Sequence, residues 1–130
     1  MPRMLACLLA VAGLLVMVPV TPAIADDRDE CTRSSWRSTL KKPEKWIIKR
    51  ESGFSPTAAN PTSSAFGLGQ LILANRRHYA PQVGADPANE GYHSGTTDPC
   101  EQLRMMRLYI DDRYGSTKKA KKFWKPNRWY

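Results

Sequence analysis

The segment that opens with Asp98-Pro99-Cys100-Glu101 constrains the fold more than any other. Asp98 suits a helix N-cap, Pro99 the first helical position and Glu101 the reciprocal capping position. Leu103, Met106 and Ile110 then recur at helical spacing as a buried stripe, and Tyr114-Gly115 ends the run. Other segments carry the same period. Pro43 and Glu44 suit a first turn, Trp46, Ile47 and Ile48 supply an apolar face, and Gly53 is a natural stop, which predicts a helix over 43–52. Leu71, Ile72, Asn75 and Tyr79 predict a second helix from about residue 69 to 79. Ser116 or Thr117 caps a last short helix that holds Ala120, Phe123 and Trp124, with Pro126 as its stop. Residues 34–40 form a short helix or a turn. There is no internal repeat and no sustained strand alternation, so the fold class is mainly α.

The N-terminus belongs to a different class of segment. Arg3 precedes an almost wholly apolar run over 4–20, and Ala23-Ile24-Ala25 places small residues where a signal peptidase reads them. This predicts a secretory signal peptide over 1–25, and hence a secreted or cell-wall location with no membrane association after cleavage. The alternative is a membrane anchor, but the run is near the lower limit for a span and Gly13, Pro19 and Pro22 fall in or beside it. Cys7 lies too early in the run for a lipid anchor. Residues 26–42 read as an N-terminal segment with an acidic start, and 43–130 as the folded domain.

Cleavage leaves 105 of the 130 residues, enough for one domain with a modest core. Two cysteines remain, Cys31 and Cys100, 69 positions apart. In an oxidising space a bridge between them is the default, and closing a loop of that size stabilises a fold by roughly 4 kcal/mol in the chain-entropy model.

The net charge of the whole sequence is +8. A basic exported domain adheres to anionic polymers, so anionic wall polymers are an expected partner. The same charge suits nucleic acid, but the export signal and the lack of interleaved basic and aromatic base-reading positions argue against that. The run Lys118, Lys119, Lys121, Lys122 and Lys125 reads as a solvated face that also helps hold the protein to a wall. The stretch 81–97 is irregular, with Pro81, Gly84, Pro87, Gly91 and Gly95, and is expected to form one wall of a groove.

Among the residues able to carry chemistry, Glu51 stands out by position. Ile47 and Ile48 lie four and three residues earlier, on the same side of a helix. Its carboxyl group therefore leans toward the apolar face near a helix C-terminus. Desolvation and the negative end of the helix dipole both penalise the anion, and an apolar wall offers no compensating bond, so a raised pKa is expected. That is what a general acid needs near neutral pH. On the helix alone, a surface glutamate paired with Arg50 or Lys49 is the commoner arrangement.

The surrounding residues decide between the two. Glu51-Ser52, then Ala59-Asn60-Pro61, then Ser64-Ala65-Phe66-Gly67-Leu68-Gly69-Gln70 resembles the catalytic core of the soluble lytic transglycosylase (SLT) family. The ending, with Tyr109-Ile110, Arg113-Tyr114-Gly115, Ala120, Phe123-Trp124 and Trp129-Tyr130, is similar to a compact variant found in secreted actinobacterial and phage wall enzymes. The resemblance covers about 46–130. It implies a lysozyme-like, mainly helical single domain with a groove for the glycan strands of peptidoglycan, and no cofactor. It implies that Glu51 protonates the oxygen leaving N-acetylmuramic acid. The same residue then takes a proton from that sugar's C6 hydroxyl, which leaves a 1,6-anhydro end. The substrate's N-acetyl group assists.

The resemblance also assigns substrate contacts. Ser52 would hydrogen-bond near the acid, and Gln70 would offer its amide to a sugar. Gly67 and Gly69 would let the backbone approach the glycan. The bland readings are a polar helix end for Ser52 and a solvated helix start for Gln70. The family's Ala-Tyr-Asn segment, which brings a tyrosine hydroxyl to the acid, has no counterpart here, so Tyr109 and Tyr130 are the substitutes and remain unranked. Trp129 and Trp124 are flat surfaces for sugar rings, with core packing as the alternative for each. Ordinary glycoside hydrolysis uses two carboxyl groups. Asp98 and Glu101 are explained as caps, and Asp86 and Glu90 lie in the irregular stretch without a motif, though a folded loop could bring either close. His78 and His93 have no ligands at metal spacing, so no metal site is expected. The chain is expected to act as a monomer. The competing functions are a water-using muramidase on the same fold and a non-catalytic basic wall-binding module.

Overall fold

A computed structural model describes residues 31–130. The signal-peptide reading falls on 1–25, outside the described residues. Four α-helices carry the fold: α1 (Lys42–Glu51), α2 (Leu73–Tyr79), α3 (Pro99–Tyr114) and α4 (Thr117–Asn127). Of three short 3-10 turns, Trp36–Thr39 precedes α1, while Ala80–Val83 and Pro87–Asn89 lie between α2 and α3. Among the described residues the extended contacts are two isolated antiparallel bridges, Ala59 with Phe66 and Phe66 with Leu71. The mainly helical class expected from the apolar period is the observed one.

α3 is the central helix, packed against both α2 and α4, while α1 packs against α4. Its start follows the capping chemistry: Asp98 accepts the backbone N–H groups of Cys100 at 2.8 Å and Glu101 at 3.3 Å. Glu101 differs from expectation. It accepts the Thr96 hydroxyl instead of closing a box with the Asp98 N–H, because Thr96 Oγ1 already takes that N–H. Gly115 ends the helix in the left-handed region at φ 76°. Ile47, Ile48, Leu68, Leu103, Met105, Met106 and Ile110 are fully buried and form the centre of the core. Each such side chain contributes about 1.5–3 kcal/mol relative to exposure.

The described part of the N-terminal segment belongs to this core. Trp36 is buried in it, and Cys31 is bonded to Cys100 at the start of α3, with their Cα atoms 5.8 Å apart. Glu44 accepts the Lys41 N–H at 2.9 Å and pairs with Arg107 of α3 at 2.9 Å, so one carboxylate both caps α1 and ties it to the central helix.

Two expectations are corrected. The second helix begins at Leu73 rather than near residue 69, since Ile72 is extended and Gln70 takes a φ of +50°. The Phe66–Leu71 bridge closes residues 67–70 into a turn, which draws them out of any helix. The stretch 81–97 lines neither compartment of the cleft described below. It wraps the buried guanidinium of Arg76 instead, which pairs with Glu90 and donates to the carbonyls of Gly91 and Ser94.

Candidate active site

Glu51 is the last residue of α1. Because Ile47 and Ile48 anchor the preceding turn in the core, its side chain is held half-buried at the edge of a cleft. Burial pushes its pKa above the usual carboxylate value, and a hydrogen bond from the Trp124 indole N–H partly offsets the rise. The wall behind the acid is therefore not purely apolar, as its sequence position had implied. It carries one donor, supplied by α4. Trp124 is itself fixed by an edge-to-face contact with Trp46 of α1, ring centres 5.2 Å apart.

The opposite side of the cleft is the 58–71 loop. Its backbone is cross-tied by Gly67 N–H to Ala58 O at 2.8 Å and Asn60 N–H to Ala65 O at 3.0 Å. Gln102 of α3 braces it from below, accepting the Leu68 N–H at 2.8 Å and donating to Pro56 O and Thr96 O, each at 2.7 Å. A Cβ on Gly67 would meet the Gln102 amide at 2.7 Å, so this glycine is required by space as well as by its φ of +81°. Gln70 lines the cleft, but its amide nitrogen is committed to Ala58 O at 3.0 Å and Gly67 O at 2.9 Å.

Tyr130 closes the floor between acid and loop. Its hydroxyl donates to Gly69 O at 2.6 Å. Its phenol pKa is raised well above the ordinary value, first by burial and then by the charge of Glu51. Tyr109 lies one ring further in, 5.6 Å from Tyr130, with burial raising its phenol too, and it does not line the compartment that holds Glu51. Of the two tyrosines left unranked by the sequence, Tyr130 is thus the one beside the acid. Trp129 is half-exposed and lines the cleft on both sides of Tyr130.

The cleft has two compartments, of about 330 Å³ and 180 Å³, which share Gln70, Ile72, Trp129 and Tyr130. Glu51, Asn60 and Arg128 belong to the larger, Tyr109 and Arg113 to the smaller. Among the described residues, Glu51 is the one carboxylate that lines either. Glu90 is tied up with Arg76, Asp86 caps a 3-10 turn through the Ala88 N–H, and Asp112 accepts the Tyr79 hydroxyl at 2.8 Å. Ser52 is not among the lining residues, and its hydroxyl donates to Ile48 O at 3.2 Å within the helix end. No group of three His, Cys, Asp or Glu side chains among the described residues is placed to hold a metal ion.

A cleft whose one acid among the described residues is half-buried suits proton transfer to a bound ligand. The model of the transglycosylase SLT domain matches residues 30–129. The chain belongs to that family. No curated protein and no solved structure matches it. As a member of the SLT transglycosylases it is a lytic transglycosylase, a glycan-cleaving lyase that binds the glycan strands of peptidoglycan.

Sequence reasoning missed three parts of this SLT site. Trp124 was a flat apolar ring, and nothing local signalled its N–H as a partner for Glu51. Asn60 entered only within the Ala59-Asn60-Pro61 segment that carries the resemblance, with no role of its own. Its side-chain oxygen takes the Thr62 N–H at 2.9 Å, and it lines the cleft. Gln102 lies on the buried face of α3 at a position where the apolar stripe hid it.

Proposed function

We propose that this SLT transglycosylase is secreted and cleaves the β-1,4 bond between N-acetylmuramic acid and N-acetylglucosamine, leaving a 1,6-anhydro-muramic end. The reading is carried by one observation: among the described residues Glu51 is the one carboxylate that lines the cleft, and burial keeps it protonated to higher pH than usual. Protonated Glu51 gives its proton to the departing glycosidic oxygen as the bond from C1 breaks. The C6 hydroxyl oxygen of the same sugar then bonds to C1, and its proton returns to Glu51. The acid is regenerated and no water is consumed, so a second carboxylate is unnecessary.

In this scheme the Trp124 N–H steadies the anion between the two proton transfers. Tyr130 and Gln70 hold the floor and loop against the sugar, Trp129 offers a ring face, and Tyr109 lines the inner compartment. Ser52 keeps the end of α1 in place, so its contribution is to orientation. The enzyme works as a monomer.

Mass spectrometry of purified peptidoglycan after digestion tests the proposal. The expected muramic ends are lighter by one water than ordinary reducing ends. Reducing ends throughout would make the enzyme a muramidase. The Glu51→Gln variant should release either product about 1000-fold more slowly, and unchanged cleavage by it would remove Glu51 from the mechanism.

A further inference from the structure

A second surface lies behind the catalytic carboxylate. On α1, Lys42, Lys45 and Lys49 are spaced i, i+3, i+7, and on α4 Lys118, Lys121 and Lys125 repeat that spacing. Along each helix the rows rise by roughly 4.5 Å and then 6 Å. The α1 row lines an open concavity of about 480 Å³ with Trp46, Arg50 and Phe54. The α4 row, with Lys122, lines another of about 250 Å³. No acidic side chain lines either, and none of these cations has an ion-pair partner among the described residues.

Cations from the two helices meet over one ring, Arg50 from α1 and Lys121 from the α4 row. The Arg50 guanidinium carbon lies 3.6 Å from the Trp46 centroid, and the Lys121 ammonium 5.0 Å from it. Stacking on an aromatic face holds both cations in place, so less side-chain entropy is lost when an anion arrives. Among the described residues the like-charge repulsion accumulated here has no paired counter-charge, so a bound polyanion would relieve it.

We propose that this face binds a polymer of repeating phosphodiesters, of the polyol-phosphate kind. Regularly spaced point charges suit a chain that offers one negative charge per repeat, and a lysine ammonium is a compact phosphate partner. Isolated peptide carboxylates would satisfy one lysine each. Single-stranded nucleic acid is the weaker fit, because it needs open aromatic faces on which bases stack. Here Trp46 is covered by Arg50 and Lys121 and meets the ring of Trp124, while Phe54 lies under Arg37. This binding goes beyond glycan cleavage and does not depend on it.

The test compares three probes with the full-length protein by fluorescence titration across a salt series: purified poly(glycerol phosphate), polyglutamate of equal charge number, and duplex DNA. Poly(glycerol phosphate) should bind tightest, with an affinity that falls steeply with salt. The variant Lys45→Glu/Lys49→Glu/Lys121→Glu/Lys125→Glu should bind it about ten-fold or more weakly and with a shallower salt slope. The same four positions changed to Arg should retain binding. Thermal melts establish that each variant is folded, and cleavage of soluble, phosphate-free glycan fragments should be unchanged. Equal affinity for polyglutamate, tighter binding of duplex DNA, or undiminished binding by the folded charge-reversal variant would each overturn the proposal.

Discussion

The indole N–H of Trp124 donates to Oε1 of Glu51, joining the last helix to the end of the first. Burial raises the pKa of this carboxyl and the indole bond lowers it, with burial the larger effect. The folded protein therefore holds the Glu51 proton to higher pH than the unfolded chain does. As pH rises from the ordinary carboxyl range through the folded-state value, the unfolded state binds fewer protons than the native one, so Glu51 removes stability over that window. Glu51→Gln keeps an acceptor for the indole and carries no charge. It should reduce cleavage by about 1000-fold and melt above the parent protein at neutral pH. Melts repeated across a pH series should show that gain vanishing below the ordinary carboxyl range.

Trp124→Phe should act on the same group in the opposite sense. The ring still packs against Trp46, but the donor that lowers the pKa is gone. A general acid loses activity as pH rises through its pKa, so the alkaline limb of the rate profile should move to higher pH. The plateau rate should fall about ten-fold, because the anion loses its stabilising donor. An unmoved alkaline limb would show that the indole bond does not tune the acid.

Gly69 and Tyr130 should prove inseparable. A Cβ on Gly69 would lie 2.7 Å from the Tyr130 hydroxyl and 3.1 Å from Met106, so Gly69→Ala must displace the Tyr130 hydroxyl from its place against the loop. Cleavage should fall more in Gly69→Ala than in Tyr130→Phe, which keeps the ring and loses only the bond to Gly69 O. Tyr130→Phe should cost about 1 kcal/mol in stability. Steady-state rates and urea melts of the two variants and their combination check this.

Arg76 joins the 58–71 loop to the 81–97 stretch. It donates to Ser64 O at 2.9 Å and Leu71 O at 3.0 Å, on either side of residues 67–70, and pairs with the buried Glu90. Arg76→Met strands that carboxylate and should cost about 3–5 kcal/mol. Adding Glu90→Leu should recover part of the loss, and a double-mutant cycle in urea measures the coupling.

The bridge between Cys31 and Cys100 ties the start of the described chain to α3. Cys31→Ser/Cys100→Ser should lower stability by about 4 kcal/mol, the entropy of an unclosed loop of this length. The helices should still form, since their cores do not depend on the bridge. Denaturation followed by circular dichroism checks both statements.

The helices were legible because each is written in its own residues. Asp98 and Pro99 start α3, Gly115 ends it, and Ile47, Ile48, Leu103, Met106 and Ile110 mark the faces that are buried. α2 was placed too early because Leu71 and Ile72 continue its apolar period, while the Phe66–Leu71 bridge that excludes them is not visible in a periodicity. Glu90 looked free for the same reason: its partner Arg76 is 14 residues away, across two 3-10 turns.

The chain by itself determined its helical class and the placing of Glu51 one turn beyond Ile47 and Ile48. Both follow from spacings within a helix turn, which hold before any packing occurs, whereas the Cys31–Cys100 pairing followed only on the expectation that Cys7 is removed with a leader. Tertiary structure alone decided that Trp124 would donate to Glu51 and that Tyr130, not Tyr109, would face it. Those contacts span 73 residues to Trp124 and 61 from Tyr130 to the loop at Gly69, so they exist only once α4 has docked on α1 and α3.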